Sequence, residues 1–238
     1  MIVVRVAAID FFDLDDGRAK LAYARRDVLR ESNGDRRDHL LSVKERKRHA
    51  AIGSREYADA WHSGRILAKT LLHATQRSRG MAPDRITIQS RNHKGEGTRP
   101  RVWYGERELQ LSLSLSHAGE AVLVGLAIAT QTRVGVDVVS IGAVKESVQQ
   151  MWFLPNEKNI ARDDLIASRI WAAKEAVYKA LNEGEPFYPR RIIIEDCDAT
   201  SCHCRYDSPT GLQRIAAKTW ETRDGHVGAC AIAHTPSF

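Results

Sequence analysis

The sequence predicts an α+β protein built from two similar halves, and three observations favour this class. Two helix-rich segments, residues 42–73 and 145–181, are each followed by alternating or β-branched segments typical of strands. GRILAKTLL, from Gly64 to Leu72, resembles SRIWAAKEAVYKAL, from Ser168 to Leu181. Strand-like segments, VVRVAAID and VGVDVVSI, precede the two helices. Chance similarity between Ala- and Lys-rich helices would also explain why these two segments are alike, so the repeat alone does not decide whether the halves are related.

Composition limits the class of protein and the class of partner. A chain of 238 residues allows one larger domain or two small ones. Its net charge of +6 and pI of about 9.2 favour an anionic partner, either nucleic acid, a phosphorylated small molecule or an acidic protein, although a merely soluble surface is also compatible. No run of about 18 apolar residues occurs, so no membrane span is predicted. MIVVRVAAIDFFDLDD lacks a basic leader region, and we expect a cytoplasmic protein.

The first half is predicted to hold an opening strand, a helical region and a hairpin. IVVRVAAIDFF is rich in β-branched residues, and residues 42–73 have a helical composition that Gly80–Pro83 interrupts. DRITIQS predicts a strand, and NHKGEGTRPR predicts a polar loop. ELQLSLSLS alternates strictly and AVLVGLAIA is continuously apolar, so HAGE between them is predicted to turn a hairpin.

The second half is predicted to alternate a strand, helices and further strands, and we place the domain boundary so that the domains are 1–131 and 132–238. VGVDVVSI is strand-like, and residues 145–159 are predicted to be helical. Asp163 or Asp164 is the predicted cap of a helix over 165–181, which Asn182-Glu183-Gly184 ends. RRIIIED predicts a strand, and RIAAKTWETRD with GHVGACAIAH predicts a hairpin that turns at Asp-Gly.

The four cysteines are expected to be reduced, since the chain is expected in the cytoplasm. CDATSCHC gathers three of them, Cys197, Cys202 and Cys204, together with His203, and could indicate a metal site. Structural zinc sites usually combine two separated ligand pairs, and Cys230 is the only thiol outside this patch. Cysteines on C-terminal strands are the favoured interpretation.

The helix RIWAAKEAVYKAL has charges at unusual positions. Its apolar stripe is formed by Ile170, Ala173, Val177 and Leu181, and Lys174 lies within about 40° of the centre of that stripe. Either the lysine stem packs while its ammonium reaches water, or the ammonium contacts a bound anion. Glu175 and Lys179 could form an ordinary i,i+4 pair, or they could surround a phosphate together with a cation, because Mg²⁺ binds through one or two carboxylates plus phosphate oxygens.

Two further segments offer polar groups at strand positions. Asp137 interrupts the apolar strand VGVDVVSI, where it is either satisfied by backbone N–H groups or is a second metal ligand. Ser116-His117 ends the LSLSLS strand, as a polar turn or as a pair of phosphate donors. A Ser–His catalytic pair is disfavoured, because adjacent strand residues point to opposite faces.

Taken in order, these motifs resemble those of the 4′-phosphopantetheinyl transferases. The matching segments are SLSHAGEAVLVGLA, GVDVV, WFLPNE and RIWAAKEAVYKAL, and the last carries Trp171, Lys174, Glu175 and Lys179 in the family's Trp-x-x-Lys-Glu-x-x-x-Lys pattern. Upstream, three further segments are similar to the N-terminal half of the larger, two-lobed branch of this family: SVKERKRHAAI, SGRILAKTLL and GTRPRVW. The resemblance covers residues 42–234. It implies two pseudo-symmetric α+β lobes with a cleft between them that takes coenzyme A.

The resemblance also implies an activity and a set of site residues. Such enzymes transfer the phosphopantetheine arm of coenzyme A to a serine of an acyl or peptidyl carrier protein and release 3′,5′-ADP. Mg²⁺, or Mn²⁺ in its place, would be held by Asp137 and Glu175; Lys179 would act at the transferring phosphoryl, and Glu175 would deprotonate the serine directly or through water. The remaining expected contacts with coenzyme A are Ser116, His117, Lys174, Lys179, Arg99, Arg48 and Arg65. The expected partner is an acidic carrier protein, bound by a monomer, with no nucleic acid and no membrane.

Two positions depart from the family pattern. The larger branch carries a second acid two residues after the strand aspartate, where this chain has Val139, and the Gly-x-Gly turn after the helix is replaced by Gly184-Glu185-Pro186. Val139 keeps open a catalytically weak relative that binds coenzyme A or a carrier protein without transfer. A basic nucleic-acid-binding module is the other alternative, but no motif for it is recognised.

Overall fold

The computed structural model divides the chain into two compact units, Met1–Thr132 and Arg133–Phe238. Both units combine sheets and helices, so the predicted α+β class is confirmed. The structure describes residues 2–6, 9–14, 17–33, 39–75, 80–92, 94–129, 131–208 and 211–234. Among the helices formed by these residues, none is long and apolar enough to span a membrane.

The first unit contains a five-stranded and a three-stranded sheet. The strands are β1 (Ile2–Val6), β2 (Ile9–Leu14), β3 (Ala19–Arg25), β4 (Ile86–Arg91), β5 (Gly97–Tyr104), β6 (Arg107–Leu109), β7 (Ser112–Ala118) and β8 (Ala121–Ala127). The larger sheet has the order β1-β2-β3-β8-β7 and the smaller β4-β5-β6. The helices are α1 (Arg26–Asn33), α2 (Val43–Ala50) and α3 (Arg55–His73).

Three local predictions for this unit can be compared with the structure. The hairpin of β7 and β8 is confirmed, with Ala118 paired to Ala121 at its tip. The single opening strand was wrong, because β1 and β2 are two antiparallel strands. The loop predicted for NHKGEGTRPR was also wrong in its second part. Residues from Gly97 onward belong to β5, whose backbone pairs with β4 on one side and β6 on the other, and this pairing outweighs the polar composition.

The described residues of the second unit form one five-stranded sheet with the order β10-β11-β12-β13-β9, three α-helices and a short 3₁₀ helix, Pro189–Arg191. The strands are β9 (Thr132–Ser140), β10 (Ile192–Cys197), β11 (Ser201–Ser208), β12 (Gly211–Glu221) and β13 (His226–His234). The helices are α4 (Glu146–Trp152), α5 (Pro155–Ile160) and α6 (Asp164–Leu181). The core lies between α6 and the sheet, where small helix residues such as Ala173 and Ala176 are fully buried.

The signals at the ends of elements were accurate in this unit. Asp163 caps α6 and its side chain accepts the N–H of Ile166, as predicted. The predicted β12–β13 hairpin is confirmed, with Gly225 at a φ of 78° in its turn.

The single helix predicted over 145–159 was wrong, because the structure has two helices there, α4 and α5. Pro155 begins α5 and disfavours a helical conformation in the residue before it.

Three cysteines occupy strands β10 and β11, in agreement with the favoured interpretation. Cys197 and Cys202 face each other across these strands and are joined by a disulfide, which contradicts the expectation that all four thiols are reduced. Cys204 and Cys230 are buried free thiols, and burial raises the pKa of each to about 12.

A buried lysine–glutamate pair joins the elements of the second unit. The Lys174 ammonium lies 2.7 Å from Glu157 Oε1 and also donates to the carbonyls of Pro189 and Ile192, at 3.0 and 2.5 Å. Glu157 accepts the backbone N–H groups of Leu154 and Ile194, both at 2.8 Å. Both charged side chains have no solvent-exposed surface. The pair therefore ties α6 to the start of α5 and to β10.

The first unit contains the same arrangement at equivalent positions. The Lys69 ammonium on α3 lies 2.5 Å from Glu45 Oε2 and donates to the carbonyls of Pro83 and Ile86, at 3.0 and 2.6 Å. The Glu45 carboxylate accepts the N–H of Ser42 at the start of α2 and that of Ile88 on β4. We refer to Lys69–Glu45 and Lys174–Glu157 as the two locks. Lys69 also donates to the carbonyl of Leu40, at 2.7 Å, but the partners that the two locks share indicate that the two units repeat one supersecondary plan.

Candidate functional site

Helix α6 lies directly on strand β9 at Gly135. A Cβ atom at that position would be 2.0 Å from the carbonyl oxygen of Ala176 and 2.4 Å from the nitrogen of Ala180, so only glycine fits. Asp137 lies two residues further along the strand, on the same face of β9. The Gly-x-Asp motif thus has a physical meaning: glycine lets the helix backbone approach, and the aspartate then meets the side chains of the helix.

The three residues expected to perform the chemistry, Asp137, Glu175 and Lys179, meet at this contact. The Lys179 ammonium donates to Asp137 Oδ1 at 2.6 Å and lies 3.3 Å from Glu175 Oε2. Asp137 is nearly buried, with 4% of its surface exposed, whereas Lys179 and Glu175 are about a quarter exposed. Burial alone would lower the pKa of Lys179, but attraction to Asp137 and Glu175 outweighs it and raises that pKa. The cluster therefore holds two carboxylates around one firmly protonated ammonium.

Trp171 completes this cluster from the preceding turn of α6. Its indole N–H donates to Glu175 Oε1 at 3.0 Å, so the two oxygens of Glu175 have different partners. The indole ring also packs edge-on against Phe187, with the ring centroids 6.0 Å apart. The sequence analysis identified Trp171 only as the first residue of the Trp-x-x-Lys-Glu-x-x-x-Lys pattern. Its i,i+4 spacing from Glu175 was the signal that could have predicted the hydrogen bond.

The predicted contact between Lys174 and a coenzyme A phosphate is contradicted by the position of this side chain. Its ammonium is fully enclosed in the second lock, and its three protons have the three partners described above. Burial lowers the pKa of Lys174, although attraction to Glu157 works against that effect. Lys174 lies near the centre of the apolar stripe because it points into the core, so its role is to hold the helix.

The residues of this cluster fit a magnesium ion by their chemistry. Two carboxylates converge within hydrogen-bonding range of a single cation, Lys179, and carboxylate oxygens are the ligands that Mg²⁺ takes from proteins. Val139 is half-buried against the core and supplies no ligand atom. Across the part of the chain that the structure describes, no group of three or more His, Cys, Asp or Glu residues could hold a metal. The protein would thus supply two ligands, and water and phosphate the others.

In the first unit, Ser116 and His117 are consecutive residues near the end of β7. Ser116 pairs with Leu123 and His117 with Val122 on β8, so their side chains point to opposite faces of the sheet. The His117 ring is exposed and stands edge-on to Tyr57, with the ring centroids 6.5 Å apart. This placement leaves the imidazole accessible to a ligand and agrees with the argument against a Ser–His catalytic pair.

The three candidate arginines lie in different environments. Arg48 is exposed in the last turn of α2, and Arg99 is half-buried on β5. The predicted nucleotide contact of Arg65 is contradicted, because its side chain is 4% exposed and its guanidinium is used within the unit. It lies over the ring of Trp61, donates to Ser90 Oγ at 2.7 Å and lies 3.8 Å from Glu45. Burial lowers the pKa of Arg65 to about 10, against the attraction of Glu45.

Comparison with known proteins links this site to one family. The curated proteins include no match to the chain. The model of the 4′-phosphopantetheinyl transferase superfamily matches residues 133–231, the stretch that contains Asp137, Trp171, Glu175 and Lys179.

Proposed function

We propose that the protein transfers the 4′-phosphopantetheine arm of coenzyme A to a serine of an apo acyl or peptidyl carrier protein. The observation that carries this proposal is the convergence of Asp137, Glu175 and Lys179 inside the segment that matches the superfamily. In this reaction the serine oxygen forms a bond to the phosphorus bearing the pantetheine arm. The bond from that phosphorus to 3′,5′-ADP breaks, and 3′,5′-ADP leaves with the electron pair.

Each member of the cluster has a distinct part in this proposal. Asp137 and Glu175 would hold Mg²⁺, which neutralises charge on the pyrophosphate when bound. Glu175 would also accept the serine proton, directly or through water. The Lys179 ammonium pairs with both acids, and a cation held by Asp137 and Glu175 would replace part of that pairing. A phosphate oxygen is its natural next partner, and Lys179 would then stabilise the transferring phosphoryl.

Ligand contacts in the first unit form a second part of the proposal. His117 and Ser116 would contact coenzyme A phosphates, with Arg99 and Arg48 as further cationic partners. The accessible imidazole and the exposed Arg48 support this assignment. The net charge of +6 suits both an acidic carrier protein and coenzyme A. We propose a monomer that acts in the cytoplasm.

The direct test is transfer itself. The chain is incubated with coenzyme A, Mg²⁺ and a panel of apo carrier proteins, and the intact mass of each carrier is measured. We expect a mass gain of one phosphopantetheine on at least one carrier, and loss of that gain in Asp137→Ala and Glu175→Ala. Asp207→Ala, which removes an exposed acid from β11, is the control and should transfer normally. The proposal is wrong if no carrier gains mass.

One observation favours a second candidate, binding without transfer. Val139 stands where a further acid is expected, and only two acids of the described residues meet at the cluster. In that case coenzyme A would bind to the chain with an affinity that Mg²⁺ does not change, and no carrier would gain mass. Calorimetric titration of coenzyme A with and without Mg²⁺ separates the two candidates.

A further inference from the structure

We infer that Trp171 is a positioning residue for Glu175, acting through the indole N–H. This inference rests on the proposed function, in which Glu175 is a metal ligand and base. The starting observation is that the two carboxylate oxygens of Glu175 are divided between two helix neighbours. Oε1 accepts the Trp171 N–H at 3.0 Å, and Oε2 faces the Lys179 ammonium at 3.3 Å.

The two neighbours differ in what a bound cation would do to them. Lys179 is positively charged, so an arriving divalent cation competes with it for the carboxylates. The indole N–H is neutral and can keep its hydrogen bond to one oxygen while the other oxygen binds metal. Trp171 would therefore hold the orientation of the Glu175 carboxylate whether or not a cation is bound, as outer-shell hydrogen bonds do for ligating carboxylates.

Trp171 is itself held in place by the segment that follows α6. Phe187 packs against the Trp171 ring and also against Tyr178, with centroid distances of 6.0 and 4.9 Å. The Tyr178 hydroxyl donates to the carbonyl of Glu185 at 2.6 Å, which anchors the same segment to the helix. The indole is thus clamped on its ring edge while its N–H points at Glu175. A side chain held in this way can transmit a fixed geometry to the carboxylate.

The experiment separates the hydrogen bond from ring packing. Trp171→Phe removes the N–H and shortens the ring, whereas 3-benzothienylalanine at position 171 keeps the bicyclic ring and lacks the N–H. Trp152→Phe is the matched control, because Trp152 in α4 also packs edge-on against an aromatic ring, Tyr188, at 5.8 Å. Binding of Mn²⁺ in the presence of coenzyme A is measured by electron paramagnetic resonance. The Mg²⁺ concentration that half-saturates transfer is measured alongside.

We expect both substitutions at position 171 to weaken Mn²⁺ binding by about 10–100-fold, and to raise the half-saturating Mg²⁺ concentration similarly. The turnover rate at saturating Mg²⁺ should change much less, and Trp152→Phe should behave as the wild type. Two-dimensional ¹⁵N–¹H spectra give a test without metal: the indole signal that is absent in Trp171→Phe should move in Glu175→Ala.

The outcomes are distinguishable from failure of the proposed function. If the wild-type chain transfers the arm and the benzothienylalanine variant binds Mn²⁺ with wild-type affinity, Trp171 does not position Glu175. An indole signal that stays in place in Glu175→Ala leads to the same conclusion. If the wild-type chain neither binds Mn²⁺ nor transfers, the proposed function is wrong, and the inference about Trp171 is wrong with it.

Discussion

Replacing Lys174 by methionine tests the second lock. The substitution keeps an apolar stem of similar length and removes the ammonium, which leaves the Glu157 carboxylate buried without its cation and the carbonyls of Pro189 and Ile192 without a donor. Removing one partner of a buried ion pair costs about 3–5 kcal/mol. That is a large part of the about 5–15 kcal/mol by which a folded domain is usually stable. We therefore expect Lys174→Met to destabilise the second unit severely.

Hydrogen exchange measured by mass spectrometry localises this loss. In Lys174→Met, peptides of α6 and β10 should exchange faster, while peptides of α3 and β4 keep wild-type protection. Lys69→Met breaks the first lock and should give the reverse pattern. Lys218→Met makes the same chemical change at an exposed position on β12 and should change neither unit by more than about 0.5 kcal/mol.

The same variants decide between the two roles considered for Lys174. If Lys174 bound a phosphate, its replacement by methionine would leave folding stability nearly unchanged and would weaken coenzyme A binding. If Lys174 is a lock residue, the same replacement would first reduce the protection of α6 from hydrogen exchange. Lys174→Met protein that still folds at low temperature should then bind coenzyme A with nearly wild-type affinity. Wild-type exchange in α6 of Lys174→Met, together with weakened coenzyme A binding, would refute the assignment made here.

Two further predictions follow from the packing of the second unit. Gly135→Ala should prevent folding or strongly lower the melting temperature, because its Cβ would overlap the α6 backbone, whereas Gly53→Ala, which has nothing within 4 Å, should be nearly neutral in calorimetry. Cys204 and Cys230, each with a pKa of about 12, should stay protonated and unreactive toward Ellman's reagent at pH 8 in the folded chain, and both should react after unfolding in denaturant without reductant. Fast reaction of either thiol in the folded chain would contradict its burial.

Local signals predicted most of the elements around the site. The cap at Asp163, the Asp-Gly turn before His226 and the apolar run of β9 each depend on residues close in sequence, so the pattern was sufficient. From the residues alone, Asp137 was either satisfied by backbone N–H groups or a second metal ligand beside Glu175, and the family resemblance favoured the second alternative. The amino-acid composition does not give the distance between β9 and α6. That distance is short because Gly135 has no side chain to keep the helix backbone away.

The role of Lys174 was mistaken because a helical wheel has no radial information. It places Lys174 near the apolar stripe but does not say whether the ammonium reaches out or inward, and the answer depends on Glu157 in another helix. A signal for the lock was nevertheless present. Pro-x-Arg-Ile-x-Ile occurs twice, from Pro83 to Ile88 and from Pro189 to Ile194, and in each copy the proline and first isoleucine supply the carbonyls that the lock lysine uses.

The two locks also show where the units differ. Lys69 and Lys174 have equivalent partners in the two locks, and matching them moves the alignment of GRILAK with SRIWAAK by one residue. In this alignment Thr70 corresponds to Glu175. The Thr70 hydroxyl donates to the carbonyl of Ile66 within its own helix, whereas Glu175 faces Asp137 across a shared ammonium. The lock therefore occurs both with and without an acid directly after its lysine, and this favours a role of the lock in folding. The proposed chemistry depends instead on Glu175, whose counterpart in the first unit is Thr70, so substitutions at the lock and at Glu175 should separate stability from transfer.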